Sequence, residues 1–564
     1  MNGRFCLVLH GHLPWVLHHG RWPHGEDWLF EAAAETWLPL LEVLDACAAE
    51  GLRPAWTVGL TPILLEQLSS PRFQQGMARY LEEQRERARD DAAAFATLGD
   101  GHLAWLAERW AGRFRALSDR FDAIDRDLVG AFRRHAEAER IEILSSNATH
   151  GYHPLLLHDA CGRAQVRAGL ATSERHLGFR PSGVWLPECA YRPPGLFWPP
   201  AVHGLPREVV GTASLYAEEG VRFTFVDTHL VRKSDAAATI DGGRVTAVDP
   251  AQAGWDSLRA WGNELEPHAV FERGGVVGGP DGAFTVLGRC PEVSEQVWSG
   301  KIGYPADGRY LEFHKRHGLR GLRYWAVTSA EADLGDKVPY RPEDAEQAVS
   351  AQAAHFCRLV RDRLWMHCQR TGRVGAVCAP FDAELFGHWW SEGPAFLLAV
   401  ARRFAHEDVG VVTVSELLDA CPADKAVALP EGTWGAGGDH RVWLNDELRF
   451  YWEVAYRAED RFVDLWHRAD WRTDASIRDL LSEAGRQLLL LQASDWAFVI
   501  STGGAVDYGL RRIFEHASLF DDLCNGVEDL VAGATREDPV VAAARDRSRL
   551  LDPVFPDLDL SWWS

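Results

Sequence analysis

The chain has 564 residues, enough for two or three domains, and its 46% apolar and 25% charged composition is that of an ordinary globular protein. With 59 Lys and Arg against 81 Asp and Glu, the net charge of −22 argues against a nucleic-acid or anionic-membrane partner and suits a neutral ligand. The ten cysteines form no Cys-x-x-Cys pair, no apolar run is long enough to span a bilayer, and the chain opens directly on a strand-like run. These features predict a cytoplasmic protein with reduced, buried thiols.

In chain order, short apolar runs rich in Val, Ile and Phe read as strands buried on both faces: 4–10, 54–60, 141–145, 183–186, 208–211, 222–227, 374–379 and 409–414. Helical patterns alternate with them, the long ones over 27–50 and 343–372. This alternation predicts a parallel β/α barrel of seven or eight strands within residues 1–420. Two stretches interrupt it. Residues 69–139 carry a dense run of charge (Glu82, Glu83, Arg85, Glu86, Arg87, Arg89) and read as a solvated helical insertion. Residues 228–292 are Gly- and Ala-rich and read as one long active-site loop. From 421 to 564 the pattern is helical, over 445–469, 473–494 and 510–532, which predicts an all-helical C-terminal domain.

Polar residues cluster where the strands end, which is where a parallel barrel keeps its chemistry. The first strand runs into His10 and His12, the third leads to His150, 183–186 ends at Pro187 and Glu188, and 374–379 leads to Asp382. Glu188 lies among Trp185, Cys189 and Tyr191, an apolar setting for a carboxylate. By itself it reads equally well as a loop residue capping the next turn. Paired with Asp382 it supplies the two carboxylates of glycosidic chemistry, in which retention needs a nucleophile and an acid/base about 5–5.5 Å apart. Glu384 is a weaker candidate for the acid. His10, His12, His150 and Asp382 are also ligand types for a metal-assisted hydrolase, although no His-Glu-x-x-His motif accompanies them. The 24 tryptophans, many of them in loops, offer flat apolar faces suited to sugar rings.

Several blocks in order resemble the branching enzymes of glycoside hydrolase family 57. They are His10-Gly11-His12-Leu13-Pro14-Trp15, His19 to Pro23, Glu142 to Gly151, Trp185 to Tyr191, Val297-Trp298, Pro380 to Trp389, Gly432-Thr433-Trp434-Gly435, Asp439 to Asn445, and Ser494-Asp495-Trp496. The resemblance implies an α/β fold, an incomplete seven-stranded (β/α)7 barrel, acting on α-1,4-glucan without a cofactor or a metal. It implies Glu188 as nucleophile and Asp382 as general acid/base. It also implies a substrate groove lined by His10, His12, Trp22, His150, Trp298, Trp434, Trp443 and Asp495. Oligomeric state is left open. In one respect the chain departs from the family. A loop Tyr that shields the intermediate from water has no counterpart, since no Tyr lies between Tyr216 and Tyr304. Trp255 and Trp261 are the candidates to replace it. The alternatives to branching are therefore amylase-like hydrolysis or 4-α-glucanotransfer, with an inactive glucan-binding protein as a third reading.

Overall fold

The structure, a computed structural model, describes residues 3–201, 205–241, 243–248, 262–279 and 282–564. Six strands and one bridging segment form a parallel ring. The strands are β1 (Gly3–Gly11), β2 (Trp56–Leu60), β3 (Ile141–Leu144), β4 (Phe223–Val226), β5 (Thr285–Gly288) and β6 (Gly375–Asp382). β1 lies between β6 and β2, with Gly3 opposite Gly375, His10 opposite Asp382 and Gly11 opposite Leu60. β2 pairs with β3 from Trp56 and Ile141 onward, and β4 with β5 from Phe223 and Thr285 onward. Residues 183–186 join β3 to β4 through single parallel bridges, Ser145 to Val184 and Gly183 to Phe223. Between β5 and β6 the link is one hydrogen bond, from the Cys290 N–H to the Cys378 carbonyl at 3.0 Å. The result is an incomplete seven-membered barrel with three thin seams, one on each side of the 183–186 segment and one between β5 and β6.

Three expectations change. Residues 208–211 are not in the ring: Arg207–Val209 pairs antiparallel with Gly195–Phe197 in an outlying hairpin. From 409–414 only Gly410–Val411 forms a strand, against Arg4 and Phe5 at the bottom of β1. The largest change is in 228–292, where much of the supposed loop is sheet. Asp235–Asp241, Arg244–Ala247 and His268–Glu272 assemble with Lys425–Ala428 and β5. Some of its glycines mark turns: Arg273 and Gly274 both have positive φ (47° and 83°), the signature of a two-residue hairpin. Trp255 and Trp261 lie outside the described residues.

Helices Pro71–Thr97 and Gly101–Ala123 form the insertion after β2. Ser70 caps the first, its side chain accepting from the Arg72 N–H, and Pro71 opens it. Toward the C-terminus, Arg449–Arg468, Ala475–Leu491, Ser494–Ser501, Val506–Val531 and Pro539–Leu551 pack together. No helix among the described residues is long and apolar enough to cross a membrane.

Candidate active site

The β1–β6 register sets the site, because it brings His10 beside Asp382 at the carboxyl ends of adjacent strands. Pro187 ends the 183–186 segment. The chain then turns through left-handed conformations at Glu188 (φ 60°) and Cys189 (φ 46°), while His150 has φ 58°. Each costs about 1–2 kcal/mol for a residue with a side chain, and together they aim the Glu188 and His150 side chains at one point.

Around Glu188 the donors are specific. Trp434 donates twice, from Nε1 to Glu188 Oε2 at 2.9 Å and from its backbone N–H to the Glu188 carbonyl at 3.2 Å. Ser494 Oγ donates to Glu188 Oε1 at 3.2 Å. Behind Ser494 stands His150 Nδ1 at 2.9 Å, and His150 Nε2 faces His10 Nε2 at 3.2 Å. Burial pushes both imidazoles well below the usual histidine range, so both are neutral at pH 7. One set of tautomers then satisfies the chain. His10 donates from Nε2 to His150, His150 donates from Nδ1 to Ser494, and Ser494 donates its only proton to Glu188. The His10 Nδ1 is left as a bare acceptor, consistent with its having no partner. The His10 ring lies flat on Trp185, 4.4 Å between centroids at 7°.

His12 forms the next layer. Its Nε2 meets Asp495 at 3.0 Å, its Nδ1 meets Thr61 Oγ1 at 3.0 Å, and its backbone N–H donates to Glu384 Oε1 at 3.1 Å. Glu384 is thus buried and occupied as a backbone acceptor.

The two carboxylates titrate high. Burial pushes Glu188 up to about 7, opposed by the Trp434 and Ser494 donors and reinforced by the Asp495 charge. Burial and then the Glu188 charge push Asp382 up to about 8, with Arg289 opposing. Burial and mutual charge thus favour a single proton on the pair near neutral pH, and the Trp434 and Ser494 donors on Glu188 favour leaving that proton on Asp382, the division of labour that an acid and a nucleophile require.

Trp298 and Trp434 form a wall with perpendicular rings 6.1 Å apart, and Trp185 meets Trp434 edge-on at 5.1 Å. Of the remaining residues implied by resemblance, Trp443 is only 1% exposed and lies stacked on Tyr152 at 4.8 Å, placing it behind the wall rather than on its surface. Trp22 is half exposed, carries Arg320 over its ring at 5.1 Å, and is not part of the network around Glu188. Three further participants were not among the residues singled out from the sequence. Ser494 comes from the helical part of the chain. Asp227 closes β4 and is ion-paired with Arg289, which closes β5 and lies 5.8 Å over Trp434. Asp227 was legible as the end of a recognised strand, whereas Arg289 was hidden with the strand that carries it.

Among metal-ligand types, donor atoms of His12, His150 and Asp495 lie within 4.8 Å of one another, so the trio includes Asp495 and not Asp382. Its members are already engaged with each other, Thr61 and Ser494. A cavity of about 1080 Å³ lined by Trp110, Tyr340 and Glu392 contains neither Glu188 nor Asp382.

The chain also matches known proteins over most of its length. Residues 6–250 match the model of glycosyl hydrolase family 57, and residues 454–563 match that of the 1,4-alpha-glucan branching enzyme C-terminal region. A 1,4-alpha-glucan branching enzyme of Thermococcus kodakarensis is 36% identical over 93% of this chain and 74% of its own length. The crystal structure of a family 57-type branching enzyme from Pyrococcus horikoshii superposes with a TM-score of 0.88 at 34% identity, covering 100% of this chain and 97% of that one. An alpha-amylase of Thermotoga maritima shares the fold with a TM-score of 0.79 at 27% identity, covering 100% and 99%. The chain belongs to glycosyl hydrolase family 57, among its 1,4-alpha-glucan branching enzymes.

Proposed function

We propose that this enzyme cleaves an α-1,4 link of a glucan and rejoins the segment through α-1,6, with retention, using Glu188 as nucleophile and Asp382 as acid/base. The observation that carries this reading is a pair of buried carboxylates, Glu188 and Asp382, close enough to raise one another's proton affinity although they come from strand ends well separated in the ring, with Glu188 held by Trp434 and Ser494. Ionised Glu188 attacks the anomeric carbon while Asp382 gives its proton to the departing 4-oxygen, leaving a glycosyl ester on Glu188 and a shortened chain. Esterification removes the Glu188 charge, the main neighbouring charge that raised Asp382. The Asp382 carboxylate then persists long enough to take the proton of an acceptor 6-hydroxyl. That oxygen attacks the same carbon, breaks the ester and restores Glu188, and two inversions give net retention. His10 and His150 stay neutral throughout and orient Ser494 on Glu188.

Water competes with the acceptor hydroxyl for the ester. The Trp298–Trp434 wall crowds this side of the site with apolar surface, which favours transfer. The net charge of −22 leaves a neutral polysaccharide such as glycogen unopposed, and the free, mostly buried cysteines support a reducing, cytoplasmic setting. The test is product analysis on amylose. The expected outcome is α-1,6 links, released by a debranching enzyme, accumulating well ahead of new reducing ends. Reducing ends without new branches would contradict the proposal and identify a hydrolase.

A further inference from the structure

Two strand ends of the ring hold residues that the chemistry above leaves unused. Asp227 closes β4 and Arg289 follows β5, where the Arg289 backbone N–H donates to the Val226 carbonyl at 3.1 Å and the Thr228 hydroxyl bonds to its carbonyl. The Arg289 guanidinium donates to one Asp227 oxygen. The other Asp227 oxygen meets His229 Nδ1 at 3.1 Å, and His229 Nε2 reaches the Gly438 carbonyl at 3.2 Å. Gly438 belongs to the turn that carries Trp434, since the Thr433 N–H donates to the Gly438 carbonyl. Arg289 itself lies over the Trp434 indole. The wall residue that donates to Glu188 is therefore gripped twice from the barrel, once through its ring and once through its loop.

We propose that Arg289 is a positioning residue for this reaction: fixed by Asp227, it locks the Trp434 indole onto Glu188 and places a permanent positive charge within reach of Asp382. This rests on Asp382 being the acid/base. The groups facing Asp382 are Glu188 and Cys189 beyond the 183–186 segment, His10 across the β1 register, Glu384 on its own loop, and Arg289. Glu188, Glu384 and Asp382 make this a carboxylate-rich centre, and Arg289 is the cation that faces Asp382 there. A Lys would keep the charge but lose the planar fork and the stacking on an indole.

The separating experiment is the pH dependence of kcat/KM on amylose for Arg289→Met and Arg289→Lys, with thermal unfolding of each. Arg289→Met is expected to lower kcat about tenfold or more with a much smaller change in KM, and to move the basic limb upward as Asp382 loses its opposing cation. Arg289→Lys is expected to return the basic limb toward the parent position while kcat stays several-fold low. If both variants keep the parent limbs and lose activity only in proportion to lost thermal stability, Arg289 is structural and the inference falls. Parent-like kinetics in Arg289→Met would overturn it equally. Asp382→Asn, run alongside, separates the two levels: an inactive Asn variant beside a parent-like Met variant refutes only this inference, and an active Asn variant refutes the acid/base assignment beneath it.

Discussion

In the proposed mechanism Glu188 and Asp382 must be in opposite protonation states for the first step, and their environments set the window. Activity requires Glu188 ionised, so kcat/KM should rise with pH through about 7, and it requires Asp382 protonated, so it should fall through about 8. The predicted profile is a narrow bell centred between those values, read on the parent enzyme with a soluble glucan. A plateau reaching below pH 5 would mean that burial does not hold these groups as described. Both carboxylates were legible from the sequence, because a strand end samples only a few residues and four such ends each delivered a His or a carboxylate. Tryptophans were less legible. A loop position separates Trp434 from core tryptophans, yet Trp443 also sits in a loop and is buried, because its neighbour Tyr152 offered it a ring to stack on.

At the scale of the element, the 183–186 segment carries the proposed nucleophile and has almost no ladder of its own. It is held instead by fit. A Cβ added at Gly183 would stand 2.2 Å from the buried Phe223 ring, inside the seam between that segment and β4. Gly183→Ala should cost about 1–3 kcal/mol of stability and, by shifting Glu188 against Trp434, lower kcat further than the stability loss explains. Differential scanning calorimetry with kinetics on one preparation measures both, and an unchanged Tm would contradict the packing argument. The sequence marked this segment as a strand from Val184, Trp185 and Leu186, but could not mark β5. Thr285 to Gly288 is four residues long and follows a glycine-rich tract, so its apolar run looked like part of a loop. The same tract concealed a set of short strands, several of which carry glycines themselves (Gly275, Gly278, Gly279, Gly282) and so do not read as strands.

Across the whole molecule, the helical C-terminal part is needed to complete the site, since Ser494 and Asp495 reach Glu188 and His12. The two parts are bolted together by a buried polar network. Asp552, fully buried, accepts from His19 of the barrel at 2.7 Å and from Gln487 at 3.0 Å, with Arg512 and His516 nearby, and Trp15 Nε1 donates to the Leu551 carbonyl at 2.9 Å. Burial opposes ionisation of Asp552, but the His19 hydrogen bond and the His516, His19 and Arg512 charges hold its carboxyl well below the usual range. A depressed carboxylate stabilises the fold above its unfolded pKa of about 4, and that stability is lost as pH falls below it. Asp552→Ala should cost about 3–5 kcal/mol, because it leaves the fully buried Arg512 guanidinium without its counter-charge and strips His19 and Gln487 of their acceptor, and should flatten the acid side of the stability curve. A variant with parent stability from pH 3 to 7 would contradict this.

The account turns on a covalent glycosyl ester at Glu188. It is tested most directly by a 5-fluoro maltosyl fluoride, whose leaving group needs no acid and whose ring fluorine slows both steps. With Asp382→Ala, which also lacks the base for the second step, mass spectrometry of the digested protein should find the added sugar mass on the peptide containing Glu188. A label on another residue, or no label together with release of an inverted sugar, would contradict it.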